Sequence, residues 1–510
     1  MKSVKRFISI FLSVALIFCS LCVISSASET VYDDDDSIIL YVDGFSSTDI
    51  INYDTGDSLW PPEAKSIVKT IFSNLGSVTC GLIKGLFTGD YSDLTDPVYN
   101  IMDDLFGDFV MDSSGSPITN SGSVWTYDFV NEDEEYDYDY YFSYDWRLAV
   151  QDVAVLLHDY IEYILEQEDA DSVSIIATSL GTCVLMSYLK IYDYEYVDGF
   201  VIHVGAYNGD ILLSCICTGD IVLDADDLVR YIDCYLDRDT FSGMLISNLI
   251  LRLNAIGLLD KICDLCNDIL EDCYDDLSST AFADTLALLP GIWTMIDYEY
   301  YEEAKEYIFG DTDIDEEYIS LIDWYHYNVQ IYNDEIIAEA MDRGLNVGIV
   351  CQYGLTNIPC TSTADYLADG VIDLINESYG ATVGDATGTL GSDYVQAVDN
   401  GHDCLSADGY IDSSTCAFTD ITWFVKNVVH NHVFSGDEYD LFEYILLSDE
   451  QVTVWDGVYD QFLIMIDDNL YTLTEENDVS LYDSDMSDET YFTLVGDYFS
   501  NVFSFIKNAF

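Results

Sequence analysis

Basic residues are what this chain most lacks. Lysine and arginine together number 16 among 510 residues, against 95 aspartates and glutamates, and the formal net charge is -79. Phosphate backbones and anionic bilayers repel such a polyanion, which excludes nucleic acid as a partner. The charge favours solubility and loose association with divalent cations, without assigning them a site, and it says nothing about fold. Histidine is also scarce, at six residues. Chemistry that needs an imidazole must draw on His158, His203, His326, His402, His430 or His432. Apolar surface, in contrast, is plentiful. Half of the residues are hydrophobic and 14% are aromatic, enough for a sizeable core and incompatible with disorder over most of the length.

The chain opens Met-Lys-Ser-Val-Lys-Arg, then runs apolar from Phe7 to Ile24 and ends that stretch in Ser25-Ser26-Ala27. A basic segment, an apolar segment and small residues at a cleavage position read as a signal peptide over 1–27, which predicts a secreted, extracellular protein; an uncleaved N-terminal membrane anchor is the alternative. Cleavage removes Lys2, Lys5 and Arg6 and no acid, leaving 13 bases against 95 acids, a formal -82. Twelve of the 14 cysteines remain, and export permits disulfides. Proximity along the chain pairs Cys351 with Cys360 and Cys404 with Cys416. Cys263 and Cys266 have the spacing of a redox or zinc motif, but they share one apolar helical face with Leu259, Leu270 and Cys273. They read as small buried hydrophobes, and neither a metal nor a cofactor is called for.

The most informative stretch lies between Asp171 and Tyr192. Ser172 to Ala177 is a short β-branched apolar run that reads as a buried strand, Thr178-Ser179-Leu180-Gly181 as a sharp turn, and Thr182 to Lys190 as a helix. Strand, turn and helix in this order make the setting of a nucleophile elbow, in which small flanking residues let the backbone turn tightly and lift a serine hydroxyl clear of the sheet. Ala177 stands where the first glycine of Gly-x-Ser-x-Gly is usual.

Earlier in the chain, Ser37 to Val42 reads as the first buried strand, running out into Asp43-Gly44-Phe45-Ser46-Ser47. A strand that ends in glycine and small residues can turn backbone N–H groups toward a ligand, as an oxyanion hole requires. Glu63 to Thr88 has helical spacing of apolar residues, and Asn131 to Asp139 is acidic and tyrosine-rich. In Tyr144-Asp145-Trp146-Arg147-Leu148, acid and guanidinium bracket a tryptophan and can lock a loop by ion pairing and stacking. A helix over 150–167 then feeds the strand before Ser179. This succession implies an α/β fold, a mostly parallel sheet covered by helices on both faces.

The phrase Tyr144 to Leu148, some thirty residues before a strand-Ser-x-Gly elbow, resembles the lecithin:cholesterol acyltransferase and lysosomal phospholipase branch of the α/β-hydrolase lipases. The end of the first strand is similar to that family's oxyanion loop, with Asp43 where proline is more usual. The resemblance spans residues 37–205 and 340–445. It implies an α/β-hydrolase fold with core segments at 30–209 and 333–445; outside it, residues 210–332 lose the strand pattern for helical, amphipathic stretches and read as an inserted cap or lid, or as a plain helical subdomain, and 446–510 as a C-terminal extension.

In this fold an activated serine is followed in the chain by the acid and then by the histidine. Only His430 and His432 follow the preferred acid, and both stand at the exit of the β-rich run 421–429. His430 is preferred, because its run into Val433-Phe434-Ser435 is similar to the family's histidine segment, and His432 is the alternate. For the acid, the family's Asp-Gly-x-Ile/Val phrase occurs twice, at Asp369 and at Asp408. Asp408 is preferred because it lies directly before the last strand between Cys404 and Cys416, whereas Leu367, Val371, Leu374 and Ile375 give Asp369 a helical setting. The expected constellation is Ser179, Asp408 and His430, with backbone N–H groups of Phe45 and Leu180 as the oxyanion hole and Asp145, Trp146 and Arg147 structural near the site.

These residues predict a hydrolase or acyltransferase of carboxylic esters, most simply lipid esters, working through an acyl-enzyme. Lipase, phospholipase, esterase and acyltransferase stay open, as do a thioesterase or peptidase on the same fold and a catalytically inactive relative that binds a partner. At the tail, Phe492, Val495, Phe499, Val502, Phe503, Ile506 and Phe510 fall on one helical face. That helix docks on the core or lies at a lipid interface, a role open to the cap as well.

Overall fold

The computed structural model describes residues 38–124, 138–235, 247, 250–310, 312–430, 436–467 and 469–478. The expected signal peptide, the acidic segment before Tyr138, His432 and the apolar tail helix lie outside the described residues.

Eight strands form the central sheet: β1 (Ile39–Val42), β2 (Tyr140–Phe142), β3 (Val173–Thr178), β4 (Val197–His203), β5 (Asn346–Tyr353), β6 (Thr422–Lys426), β7 (Phe462–Ile466) and β8 (Asn469–Thr472). Their order across the sheet is β2-β1-β3-β4-β5-β6-β7-β8. Every neighbouring pair is parallel except β7 and β8. The parallel strands are nearly continuous apolar runs, and Val173–Thr178 is buried at every position, because helices cover a parallel sheet on both sides. The chain is thus an α/β protein. The last two strands lie beyond residue 445, where the sequence reading placed only an extension: Phe462-Leu-Ile-Met-Ile is buried enough to extend the sheet, and a tight turn returns the chain antiparallel.

Four helices frame the site. Helix α1 (Val150–Glu168) buries Val153, Ala154, Leu157, Ile161 and Ile164, the stripe its sequence spacing gives, and each large aliphatic side chain buried there contributes roughly 1.5–3 kcal/mol. It packs beside α2 (Leu180–Tyr192), which packs on α3 (Asn333–Asp342). The helix α4 (Asp437–Leu446) lies against β4 and β5, where a β-carbon on Gly348 would come within 2.8 Å of Ile445.

Between β4 and α3 the described chain is helical, including Ile211–Cys217, Ala225–Tyr235, Leu258–Leu277, Tyr298–Phe309 and Glu316–Asn328. Cys263 and Cys273 are buried along Leu258–Leu277, as their spacing implies, whereas Cys266, also expected to be buried, is only half-buried. The expected disulfides are absent. Cys351, Cys360, Cys404 and Cys416 are all free thiols. Cys351 is locked inside β5, and burial pushes its thiol well above the ordinary range, so nearness in sequence does not become nearness in space.

Candidate active site

Strand order reverses at β1. Its neighbours are β2 on one side and β3 on the other, and the carboxyl ends of such adjacent parallel strands open a crevice. Ser179 stands at the carboxyl end of β3, one residue before α2. Its φ of 54° and ψ of -126° oppose the β-carbon, a conformation costing on the order of 1–3 kcal/mol that the surroundings must hold. They hold it by hydrogen bonds. Ser179 N–H donates to the His203 carbonyl at 3.2 Å, and the Ser179 carbonyl accepts from Thr182 N–H (3.0 Å), Thr182 Oγ1 (2.6 Å) and Ala206 N–H (3.2 Å). Close packing finishes the elbow. A β-carbon on Gly181 would lie 2.4 Å from the Val42 carbonyl oxygen, and one on Gly44 would lie 2.7 Å from Ser179 Cβ. Ala177, at the position of the missing glycine, is fully buried opposite Val42 and Ile202 and needs no more room.

His430 follows β6 and reaches this serine. Ser179 Oγ and His430 Nε2 are 3.1 Å apart, and on the other side of the ring His430 Nδ1 donates to Asp369 Oδ2 at 2.5 Å. The backbone joins the pair again, His430 N–H donating to the Asp369 carbonyl at 2.9 Å. The preferred acid is therefore corrected: Asp369, the alternate, meets the histidine and Asp408 does not. Asp408 Oδ2 instead accepts from Lys426 Nζ at 2.8 Å and from the Tyr353 hydroxyl at 3.0 Å, so its carboxylate neutralises a lysine buried at the end of β6. The helical setting read around Asp369 is a turn. Gly370 has φ of 101°, Asp369 Oδ1 accepts from the N–H groups of Val371 and Ile372, and helix begins only at Leu374. Both copies of the repeated phrase make this aspartate-headed turn. In the second, Gly409 has φ of 75° and Asp408 Oδ1 accepts from Tyr410 N–H.

Behind Asp369 lies a residue that sequence reasoning missed. Glu377 is fully buried, its Oε2 accepts from Gln352 N–H at 3.0 Å, and its other oxygen accepts from no donor. Burial, then the charge of Asp369 and a hydrogen bond to it, push the Glu377 carboxyl well above the ordinary range. For Asp369 itself burial acts upward, but the positive charge of His430 and hydrogen bonds from His430 and Glu377 bring its carboxyl below the ordinary value. Two buried carboxyls in contact cannot both ionise, so Glu377 carries the proton and Asp369 the charge. A glutamate in Leu-Ile-Asn-Glu gives no signal of this in the sequence.

The oxyanion loop is arranged by Asp43. Its carboxylate accepts from Gly44 N–H at 2.7 Å, from the Tyr41 hydroxyl at 3.0 Å and from the Tyr141 hydroxyl, while Tyr144 donates to its carbonyl at 2.9 Å. Burial raises the Asp43 carboxyl, and those donors together with the charge of His430 oppose the rise. Because Gly44 N–H is spent on Asp43, the next N–H along, that of Phe45, is the one left. Phe45 N–H and Leu180 N–H donate to no group among the described residues, and a tetrahedral oxyanion needs such donors. Arg147 forks onto Asp145 (Nε to Oδ1 2.9 Å, Nη2 to Oδ2 2.6 Å) and donates to the Phe109 carbonyl at 2.8 Å. Trp146 donates to the Thr48 carbonyl at 3.2 Å and packs against Phe45 at 4.4 Å between centroids, the two rings tilted by 59°, so this phrase supports the loop and touches no reacting atom.

The remaining described histidines are occupied elsewhere. His158 stacks on Tyr192 and His402 on Trp455. His203 is buried beside Gln352 and Thr178, and His326, bonded to Gln330 and the Trp293 carbonyl, is pushed down to about 4 by burial. No cluster of metal-ligating side chains occurs among the described residues.

No family model matches this chain. No curated protein matches it either. Among solved structures it is similar to one described as the crystal structure of the Tle4-Tli4 complex, at a TM-score of 0.26 and 11% identity, over 62% of this chain and 75% of that one. The fold therefore rests on the sheet order and the elbow.

Proposed function

We propose that the chain is a serine hydrolase of carboxylic esters. The observation that carries this reading is the hydrogen-bonded line Ser179–His430–Asp369, built at the carboxyl ends of three parallel strands with the serine held in a strained conformation. Nε2 of His430 takes the proton of Ser179 Oγ as that oxygen attacks the ester carbonyl, and the imidazolium formed is stabilised by Asp369. The oxyanion is received by the N–H groups of Phe45 and Leu180. The imidazolium returns its proton to the leaving alcohol, which departs and leaves an ester on Ser179. Water or a second alcohol, deprotonated by His430, then releases the acyl group. No step calls for a metal or cofactor.

A lipid ester is the substrate class this site fits best, since the oxyanion loop is walled by aromatic rings. Phe45, 36% exposed, packs against Trp60 and Trp146. The helical segment between β4 and α3 is the natural cap, and export through the N-terminal segment remains part of the proposal. Treatment of the protein with a fluorophosphonate probe tests the reading. Label on Ser179, with hydrolysis of p-nitrophenyl acyl esters that is lost in Ser179→Ala, is expected; label elsewhere or none at all sinks it.

A further inference from the structure

The helix Ala64–Thr88 breaks the pattern of the whole chain. The protein carries 95 acids among 510 residues, yet these 25 consecutive positions hold no aspartate or glutamate and three lysines, Lys65, Lys69 and Lys84. Among the described residues it is the one helix long and apolar enough to cross a membrane, and only 17% of its most apolar stretch is buried. Its open face runs Lys65, Lys69, Phe72, Gly76, Cys80, Ile83 and Phe87, spaced three and four apart, flanked by Val68 and Leu86. Phe72 is 69% exposed, Leu86 62% and Phe87 86%. Leaving such side chains in water along about 37 Å of helix is costly, and a row of this size marks a surface that binds something.

The opposite face is committed to the protein. Ile67 and Thr70 are buried, a β-carbon on Gly81 would lie 2.7 Å from Leu94, and one on Gly85 would lie 2.1 Å from Tyr91. A helix fastened in this way cannot be surrounded by lipid, but it can lie on it. Charge then selects among occupants. A second copy, or any acidic partner, would bring its own large negative charge against this protein. A zwitterionic or neutral lipid surface brings none. Lys65 is paired with Glu63, and Lys84 with Asp93 at 2.7 Å, which leaves Lys69 as the lysine of this helix without an ion pair among the described residues, so the face is weakly charged rather than strongly basic, which fits an uncharged surface better than an anionic one.

We propose that Ala64–Thr88 lies flat on a zwitterionic or neutral lipid surface and seats the protein there, with Val68, Phe72, Ile83, Leu86 and Phe87 entering the acyl boundary. The helix begins four residues after Trp60, whose ring contacts Phe45 and whose Nε1 donates to Ser46 Oγ at 2.7 Å. Seating it brings the oxyanion loop to the lipid. The choice of lipid ester as substrate rests on the function proposed above, but the docking does not, and the test keeps them apart.

Flotation of the full chain with phosphatidylcholine vesicles, at low and physiological salt, reads the binding directly. The parent and Ser179→Ala are expected to float equally, and the combined Phe72→Ser, Leu86→Ser, Phe87→Ser variant to partition at least about tenfold less, with an unchanged thermal midpoint because all three side chains are exposed. Phosphatidylglycerol vesicles are expected to capture less protein at low salt and to recover as salt screens the repulsion. Cys80, the exposed one among the described free cysteines, offers a second readout: an environment-sensitive fluorophore there should shift to the blue with vesicles. Absence of flotation with either lipid, equal flotation of the triple-serine variant, or a concentration-dependent dimer that this variant abolishes would each overturn the proposal.

Discussion

Asp369 holds His430 at two points, a side-chain bond of 2.5 Å to Nδ1 and a carbonyl that accepts the His430 backbone N–H at 2.9 Å. The two bonds fix both the ring's tautomer and its aim, leaving Nε2 to face Ser179. Asp369→Asn should therefore lower kcat by about 10³- to 10⁴-fold with little change in KM, since the amide can present N–H to Nδ1 and stabilise the wrong tautomer. Asp408→Asn leaves the serine and histidine untouched. It strips the buried Lys426 of one carboxylate, with Asp478 still 2.5 Å from Nζ, so its expected loss is of thermal stability with kcat nearly unchanged. Steady-state kinetics of the two variants, set beside their melting curves, separate these outcomes, and a larger kcat loss in Asp408→Asn would return the acid role to that residue.

The two glycines at the elbow should fail differently. In Gly44→Ala the new methyl would sit 2.7 Å from Ser179 Cβ and 3.2 Å from its Oγ, where loop and serine can shift apart. The expected result is a folded protein with activity reduced by 10²-fold or more, the order of a lost oxyanion donor. In Gly181→Ala the methyl would meet the carbonyl oxygens of Val42 at 2.4 Å and Asp43 at 2.6 Å, both fixed backbone. Overpacking there should destabilise the fold by about 1–3 kcal/mol or more. Denaturant midpoints that fall in Gly181→Ala but hold in Gly44→Ala would bear this out.

Periodicity carried the helix before the elbow and β-branched runs carried the strands, because burial of one stripe or one whole strand dictates those patterns locally. The elbow and His430 were legible for a related reason: a strained turn demands small residues, and so few histidines left little choice. The acid was not, since Ala-Asp-Gly-x-Ile-Asp occurs twice and makes the same turn twice. A signal was present in Lys426. A lysine ending an apolar strand, in a chain with so few bases, needs a buried carboxylate, and assigning Asp408 to that duty would have left Asp369 for the histidine. The strands β7 and β8 went unread because they lie beyond residue 445, outside the stretches that the resemblance spans, although Phe462-Leu-Ile-Met-Ile is as apolar as the runs that were read as strands.

Arg147 and Asp145 form a fork with Arg147 wholly buried and Asp145 nearly so. Removing one partner strands the other charge, so Arg147→Met should cost about 3–5 kcal/mol in urea unfolding, far more than an exposed pair would. Arg147 also donates to the Phe109 carbonyl and to Ser121 Oγ, tying β2's exit to the segment that walls Trp60. Activity should fall in step with stability and recover at low temperature, because no reacting atom touches the pair. An Arg147→Met variant of parental stability would contradict the structure.

Glu377 gives the site its own pH signature. Its carboxyl is raised in the folded protein by burial and by ionised Asp369, whereas in the unfolded chain it titrates near the ordinary value of about 4.3. Below that value both states hold the proton and its contribution to stability is fully present. As pH rises above it the unfolded chain releases the proton and the native state does not, so stability falls with pH until the native group itself titrates. Glu377→Gln cannot ionise yet can donate N–H to Asp369. It should remove this descending limb, making the variant more stable relative to the parent at pH 7 than at pH 4, with kcat within a few-fold. Glu377→Leu keeps the site uncharged but withdraws the donor. With one hydrogen bond fewer, Asp369 becomes easier to protonate, so at the acid end of the range kcat should fall further below the limb set by protonation of the His430 base than in the parent or in Glu377→Gln. Profiles from pH 4 to 9 for the three proteins decide it, since a side chain that only filled space would leave the acid end unchanged.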